Sequence, residues 1–213
     1  APHRGAPAPY RSPRGPLCHG PVRHHPGHPA DGGDPAVRPP YAPAGPAAKA
    51  PYDLVVSAGI GGGFPGRAPV GSVVVADAIT AADLGADSPE GFLDVRELGF
   101  GRSGHLPPAD TVARVAAAVG GAVVGGVLTV STVTGTAARA AELSGRHPGA
   151  VAEAMEGFGV AEAAAAHGIP VLEIRAVSNP VGPRDRAAWR VGEALDALRG
   201  AFSQLAPVFE ESR

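Results

Sequence analysis

Glu156 stands in the stretch AVAEAMEGFGVAEAA (150–164), directly after Met155, the only methionine of the chain, among small and apolar residues. Two readings of a carboxylate at that place stay open on the residues alone. It complements the dipole of a helix that begins beside it, or it points into a pocket and accepts two donors at once, as a sugar diol would offer. Further on, EIRAVSNPVGPRDRAAW puts Arg175, Ser178 and Asn179 at the end of a strand, where the chain turns through Pro180, Gly182 and Pro183. Polar groups at the carboxyl end of a buried strand are placed to hold a ligand. Asp185 and Trp189 follow, either ordering the loop after Asn179 or capping and packing the last helix.

A second candidate is the glycine stretch AGIGGGFPG (58–66), in which Gly61, Gly63 and Gly66 formally match GxGxxG. A dinucleotide fingerprint needs a helix to start there, so that its N-terminus faces a pyrophosphate. Pro65, Pro69 and the absence of a helical period lead into another strand instead, and the nicotinamide reading is set aside. Glycines after a parallel strand still let the backbone approach a ligand closely, which makes Gly59, Ile60 and Gly61 candidates for substrate contact. The cluster His24, His25 and His28 lacks a scaffold to fix metal geometry and reads as a solvated tract, so no metal is assigned.

The elements that must position these residues begin at Pro51. Short β-branched runs alternate there with alanine-rich amphipathic segments, the pattern of an α/β fold. Strands are predicted at 52–58, 71–79, 126–133 and 170–178, and helices at 109–119, 136–146, 155–167 and 184–202, the third closed by Gly168. PEGFLDVRELGFGRSGHLPP (89–108) reads as a long loop with one short strand, and VRELGFGR within it is long enough to reach a site as a lid.

The whole chain has 213 residues, a net charge of −2 and 18% charged residues, which excludes a basic field for nucleic acid and favours small-molecule chemistry. No apolar run is long enough to span a membrane. The single cysteine, Cys18, excludes an intrachain disulfide and fits a cytoplasmic setting. Residues 1–50 differ sharply, with 13 of the 24 prolines, five of the eight histidines and scattered arginines. Proline at that density forbids helices and central strands. This segment is expected to be a disordered tail or, given GC-rich coding of the remainder, a frameshifted reading that stands where a first βαβ unit belongs. The absence of an initiator methionine fits a processed, truncated or wrongly assembled start.

MEGFGVAEAAAAHGIPVLEIRAVSN resembles the nucleoside phosphorylase and nucleosidase superfamily, in which a Met-Glu pair precedes a helix and the next strand ends in Arg-x-x-Ser followed by Asp or Asn. SAGIGGGFPGRAPVGSVVVAD is similar to the glycine segment of the same superfamily, and VSNPVGPRDRAAW and VSTVTGT are similar to its futalosine hydrolase family. The resemblance covers about 51–202. It implies a three-layer α/β fold with a mixed central sheet, lacking here its first βαβ unit. It also implies a hydrolase that releases hypoxanthine from a nucleoside of the menaquinone route, with no cofactor and a homo-oligomeric state.

By the same resemblance, Glu156 binds the ribose 2′- and 3′-hydroxyls, Met155 packs on the sugar, and Asn179 acts on the base. Relatives that cleave adenine nucleosides carry Asp at this last position. A neutral amide donates to the acceptors of a leaving 6-oxopurine without titrating. Ser178 and Arg175 support the site. Val133 and Thr134 match positions that line the base pocket, although plain strand-end packing explains them equally well.

The family's water-activating glutamate lies in a loop after the first strand, and no strand-loop-carboxylate precedes Pro51. Asp31 and Asp34 lack the strand, so the expectation is a chain inactive or poorly folded on its own. A purine nucleoside phosphorylase, with Arg67 or Arg102 holding phosphate, an adenine-nucleoside hydrolase and a non-catalytic nucleoside-binding domain are the alternatives.

Overall fold

The computed structural model describes residues 52–210. The segment 1–50, with its expected disorder or frameshift, Cys18, the His24–His25–His28 cluster, Asp31 and Asp34, lies outside the described residues. In chain order the elements are β1 (Val55–Gly63), β2 (Val73–Ala81), the hairpin β3 (Gly85–Ser88) and β4 (Gly91–Asp94), β5 (Gly104–His105), α1 (Ala109–Ala118) and β6 (Val123–Thr129). There follow α2 (Ala137–Arg146), β7 (Ala150–Ala154), α3 (Gly157–Ala166), β8 (Val171–Pro180) and α4 (Val191–Glu210).

The sheet is mixed. β2 pairs with β6, β6 with β7, and β1 with β8 in parallel, whereas β7 with β1 and β8 with β2 are antiparallel. Because β8 returns to β2, five strands close into a ring, and closure removes the open edges that an isolated sheet would present. β8 is buried along Val171–Ser178 and therefore faces helices on both sides. Leu172 and Ile174 pack with α1 and α4 through Val112, Val115, Ala201 and Leu205. Val171 and Val177 point the other way, to Ala161 and Ala164 of α3. Helix, sheet and helix are the three layers that the sequence implied.

Three local findings depart from the sequence reading. β1 does not stop at Ala58 but runs on through the glycines to Gly63, because β7 passes so close that a β-carbon on Gly61 would stand 2.7 Å from the Glu153 carbonyl oxygen. β7 itself was not predicted. AVAEA is short and lacks large β-branched side chains, and it is a strand because it fills the gap between β6 and β1. The last helix starts at Val191 rather than 184. The preceding residues form a 3-10 turn, Arg186–Ala188, whose first amides are capped by Asp185 through Ala187 N at 3.0 Å.

The other helices start and stop for recognisable reasons. Thr136 caps α2 by accepting from Arg139 N at 3.2 Å. Gly168, at φ +66°, ends α3: its N–H bonds Ala165 O and the Ile169 N–H bonds Ala164 O, the two bonds of a Schellman turn. The 89–108 region is a hairpin strand, turns and β5 rather than a mostly irregular loop.

Candidate functional site

Six of the seven buried polar side chains among the described residues, Ser57, Thr134, Glu153, Glu173, Arg175 and Ser178, belong to β1, β7, β8 and the loop after β6. Buried polar groups must be paired, so this concentration marks a constructed network. It begins with a bulge. β1 and β8 run in register up to Gly61 and Val177, after which Gly62 pairs with Asn179 and Ser178 is skipped. A bulge re-aims the side chains at its step. The Ser178 hydroxyl lies 2.8 Å from Asn179 Oδ1 and 3.2 Å from Gly61 O, two acceptors for its one proton. By holding the carbonyl side of the Asn179 amide, it leaves Nδ2 as the donor side, now 3.0 Å from Pro180 O.

Glu156 is the N-cap residue of α3, where a negative charge complements the helix dipole, and its side chain makes no capping hydrogen bond. That carboxylate meets Arg175 instead: Oε2 is 2.8 Å from Nη1. Arg175 is 3% exposed at its side chain and Glu156 61%, so the pair joins a buried cation to an anion facing outward. The remaining edges of the guanidinium donate to Glu173 Oε1 through Nε at 2.8 Å and to the Ser57 hydroxyl through Nη2 at 3.0 Å. Gly59 gives it room, since a β-carbon there would come within 2.5 Å of Nη1. Glu173 is fully buried. Burial pushes its carboxyl above the ordinary carboxylate range, Arg175 pulls it back in part, and the negative charge of Glu156 adds to the rise.

A second buried carboxylate braces the loop after β6. Glu153 accepts from Thr134 N at 2.9 Å through Oε1 and from the Thr134 hydroxyl through Oε2. Val133 and Thr134 then form one wall of a tight cleft, of about 20 Å³, whose other wall is Asn179, Pro183, Asp185 and Trp189. That volume holds about one water. At the other end of the site, the Phe158 N–H in the first turn of α3 is satisfied by Thr129 Oγ1 at 2.9 Å.

The sequence candidates form three sets near the carboxyl ends of adjacent strands: Glu156 and the Ile60 carbonyl, at 3.5 Å, on Arg175 with Gly59 beside it, Asn179 and Gly61 on Ser178, and Thr134 on Glu153. Met155 and Val133 are partly exposed beside them, and Asp185 caps the 3-10 turn. Arg67 and Arg102 are engaged elsewhere. Arg67 donates to Ala150 O at 2.6 Å, and Arg102 faces Glu162 at 3.5 Å. At Gly61–Gly63–Gly66 the strand leads through turns into β2 with no helix, as the rejection of the dinucleotide motif requires. Sequence reasoning missed Glu153 and Glu173. The second had a signal, for Glu173 and Arg175 are two apart on a strand and must share a face. No cluster of metal-ligating side chains and no helix long and apolar enough to cross a membrane is found among the described residues.

Residues 47–210 match the Phosphorylase superfamily. The chain is 76% identical over 160 residues to a futalosine hydrolase of Streptomyces coelicolor, covering 75% of this chain and 68% of that protein. It is 49% identical to one of Acidothermus cellulolyticus, covering 72% and 64%. Among solved structures, futalosine hydrolase of Helicobacter pylori superposes with a TM-score of 0.62 at 15% identity over 73% of this chain and 68% of that one. A 5′-methylthioadenosine/S-adenosylhomocysteine nucleosidase of Colwellia psychrerythraea, in complex with adenine, gives 0.57 at 24% over 72% and 64%. These two show a common fold, and the chain spans about two thirds of the length of its relatives. The sequence match and the fold agree: the chain belongs to the phosphorylase superfamily and, within it, groups with the futalosine hydrolases.

Proposed function

We propose that this domain hydrolyses the N-ribosidic bond of futalosine, releasing hypoxanthine and dehypoxanthinyl futalosine, a step in making menaquinone. The observation that carries the reading is the pairing of an outward carboxylate on a buried cation with a serine-oriented amide, Glu156 on Arg175 and Asn179 on Ser178. Cleavage of a purine riboside passes through an oxocarbenium-like sugar while the bonding electrons leave with the base. Glu156 Oε2 is held by Arg175, and Oε1 is left to accept from the ribose hydroxyls. Asn179 Nδ2 donates to the base as negative charge develops on it, an interaction that strengthens toward the transition state. Met155 lies against the sugar, Val133 and Thr134 against the base, and the Gly59–Ile60–Gly61 backbone lets the ligand come close. The carboxylate that activates water in the family is an N-terminal glutamate, and none of the described residues is assigned that role.

The reading extends to a cytoplasmic homo-oligomer that needs no cofactor and splits into a Pro-rich segment at 1–50 and the nucleosidase domain at 51–213. The test is base release by the purified 213-residue chain from futalosine, inosine and methylthioadenosine, each with and without phosphate. Hypoxanthine released from futalosine independently of phosphate would show the hydrolase activity and overturn the expectation that the chain is inactive on its own. Phosphate dependence would make the chain a phosphorylase, adenine release from methylthioadenosine would move the preference to aminopurines, and binding without release would limit it to holding the nucleoside.

A further inference from the structure

Glu173 is a buried carboxylate that the reaction drawn above does not use. It lies on the α3 side of β8, in line with Val171 and Val177, which belong to an apolar core cluster. None of it reaches solvent, and its Oε2 has no hydrogen-bond partner. Gly157, the first residue of α3, makes the room, because a β-carbon there would overlap the Glu173 carboxyl. A charge held without water needs a counter-charge. The one it has is Arg175, whose Nε donates to Oε1 at 2.8 Å.

That contact decides which edge of the guanidinium faces the site. The group is planar and its donors form a rigid fork, so fixing two edges aims the third. With Nε on Glu173 and Nη2 on Ser57, Nη1 is turned to Glu156. The groups that face Glu173 are Arg175 on its own strand and Glu156 at the start of α3, with Ser57 of β1 joined through Arg175. One cation therefore serves two carboxylates. If Glu173 were neutral, the whole charge of Arg175 would fall on Glu156 and weaken it as an acceptor.

We infer that Glu173 is a positioning residue for the sugar subsite: acting through Arg175, it aims Glu156 at the ribose hydroxyls and keeps that carboxylate a strong acceptor. The sugar role of Glu156 rests on the nucleosidase reading, whereas the aiming of Arg175 does not. Calorimetric titration of the full chain and of Glu173→Gln with futalosine and with hypoxanthine, which has no sugar, separates the effects. The variant should weaken futalosine binding about five- to tenfold and leave hypoxanthine within about twofold, as expected for loss of one charge-assisted contact. Equal losses on both ligands, or none on either, would overturn the inference.

A crystal structure of Glu173→Leu supplies a readout without ligand. There Arg175 should turn and its Nη1–Glu156 contact open beyond 4 Å; an intact pair would overturn the aiming role. If the wild-type chain binds neither ligand, the nucleosidase reading fails, and the Glu173→Leu structure still decides what Glu173 does. If Glu173→Leu does not fold, the paired titrations of Glu173→Gln decide.

Discussion

An amide can assist a leaving base only while its donor side is turned to the ligand, and at Asn179 the Ser178 hydroxyl sets that turn. Removing the donor should cost about 3 kcal/mol of transition-state stabilisation, so Asn179→Ala should lower kcat on futalosine about a hundredfold. Steady-state hypoxanthine release checks this, and a loss under about threefold would remove Asn179 from the reaction. Glu173 makes a different prediction, about pH. Its carboxyl is raised in the folded chain, so it binds more protons folded than unfolded. Its contribution to stability is therefore present below the ordinary carboxylate range and is lost as pH rises through the raised value. Melting curves from pH 4 to 8 should show Glu173→Gln gaining on the wild type as pH rises, whereas a constant difference would contradict the raised carboxyl. Glu156 and Asn179 were legible in the sequence because each is a polar residue where a strand gives way to a turn or helix. Glu173 was not, since one acidic residue in a run of valine, leucine and isoleucine looks like part of a core strand until its spacing from Arg175 is taken into account.

At the scale of elements, the site depends on β7, the strand that sequence did not reveal. Its side chain Glu153 ties the loop after β6 by taking both the amide and the hydroxyl of Thr134. The strands with β-branched runs and the first three helices were predicted within a few residues, because period and caps are local signals. β7 depends instead on its neighbours: its alanines fit where β6 and β1 leave little room, and that proximity is a tertiary fact. The glycines of β1 carry the same lesson, being required by the close pass of β7 rather than by a turn. Glu153→Ala would leave the buried Thr134 donors without an acceptor, at about 1–2 kcal/mol each. A loss of about 2–4 kcal/mol in denaturant unfolding is expected, together with faster amide exchange in residues 130–136. A variant whose unfolding midpoint and exchange match the wild type would show that the loop is held by other means.

Over the whole domain, the site joins four strands of a closed ring rather than lying on one element. Glu156 follows β7, Asn179 ends β8, the glycines end β1, and Thr134 follows β6. A ligand that touches all four binds only the assembled ring, so its binding free energy adds to folding stability by mass action. Futalosine at a hundred times its Kd should contribute about 2.7 kcal/mol. For a domain of this size, that raises the melting temperature by about 5–10 °C. The measurement needs no turnover, so it tests recognition separately from catalysis. Inorganic phosphate should add little, because Arg67 and Arg102, the cations considered for it, are engaged with Ala150 and Glu162. Glu156→Gln should reduce the shift given by futalosine more than that given by hypoxanthine, since only the former presents a sugar to the carboxylate. A phosphate-induced shift as large as the nucleoside's would place an anion site in the ring and return the chain to the phosphorylases.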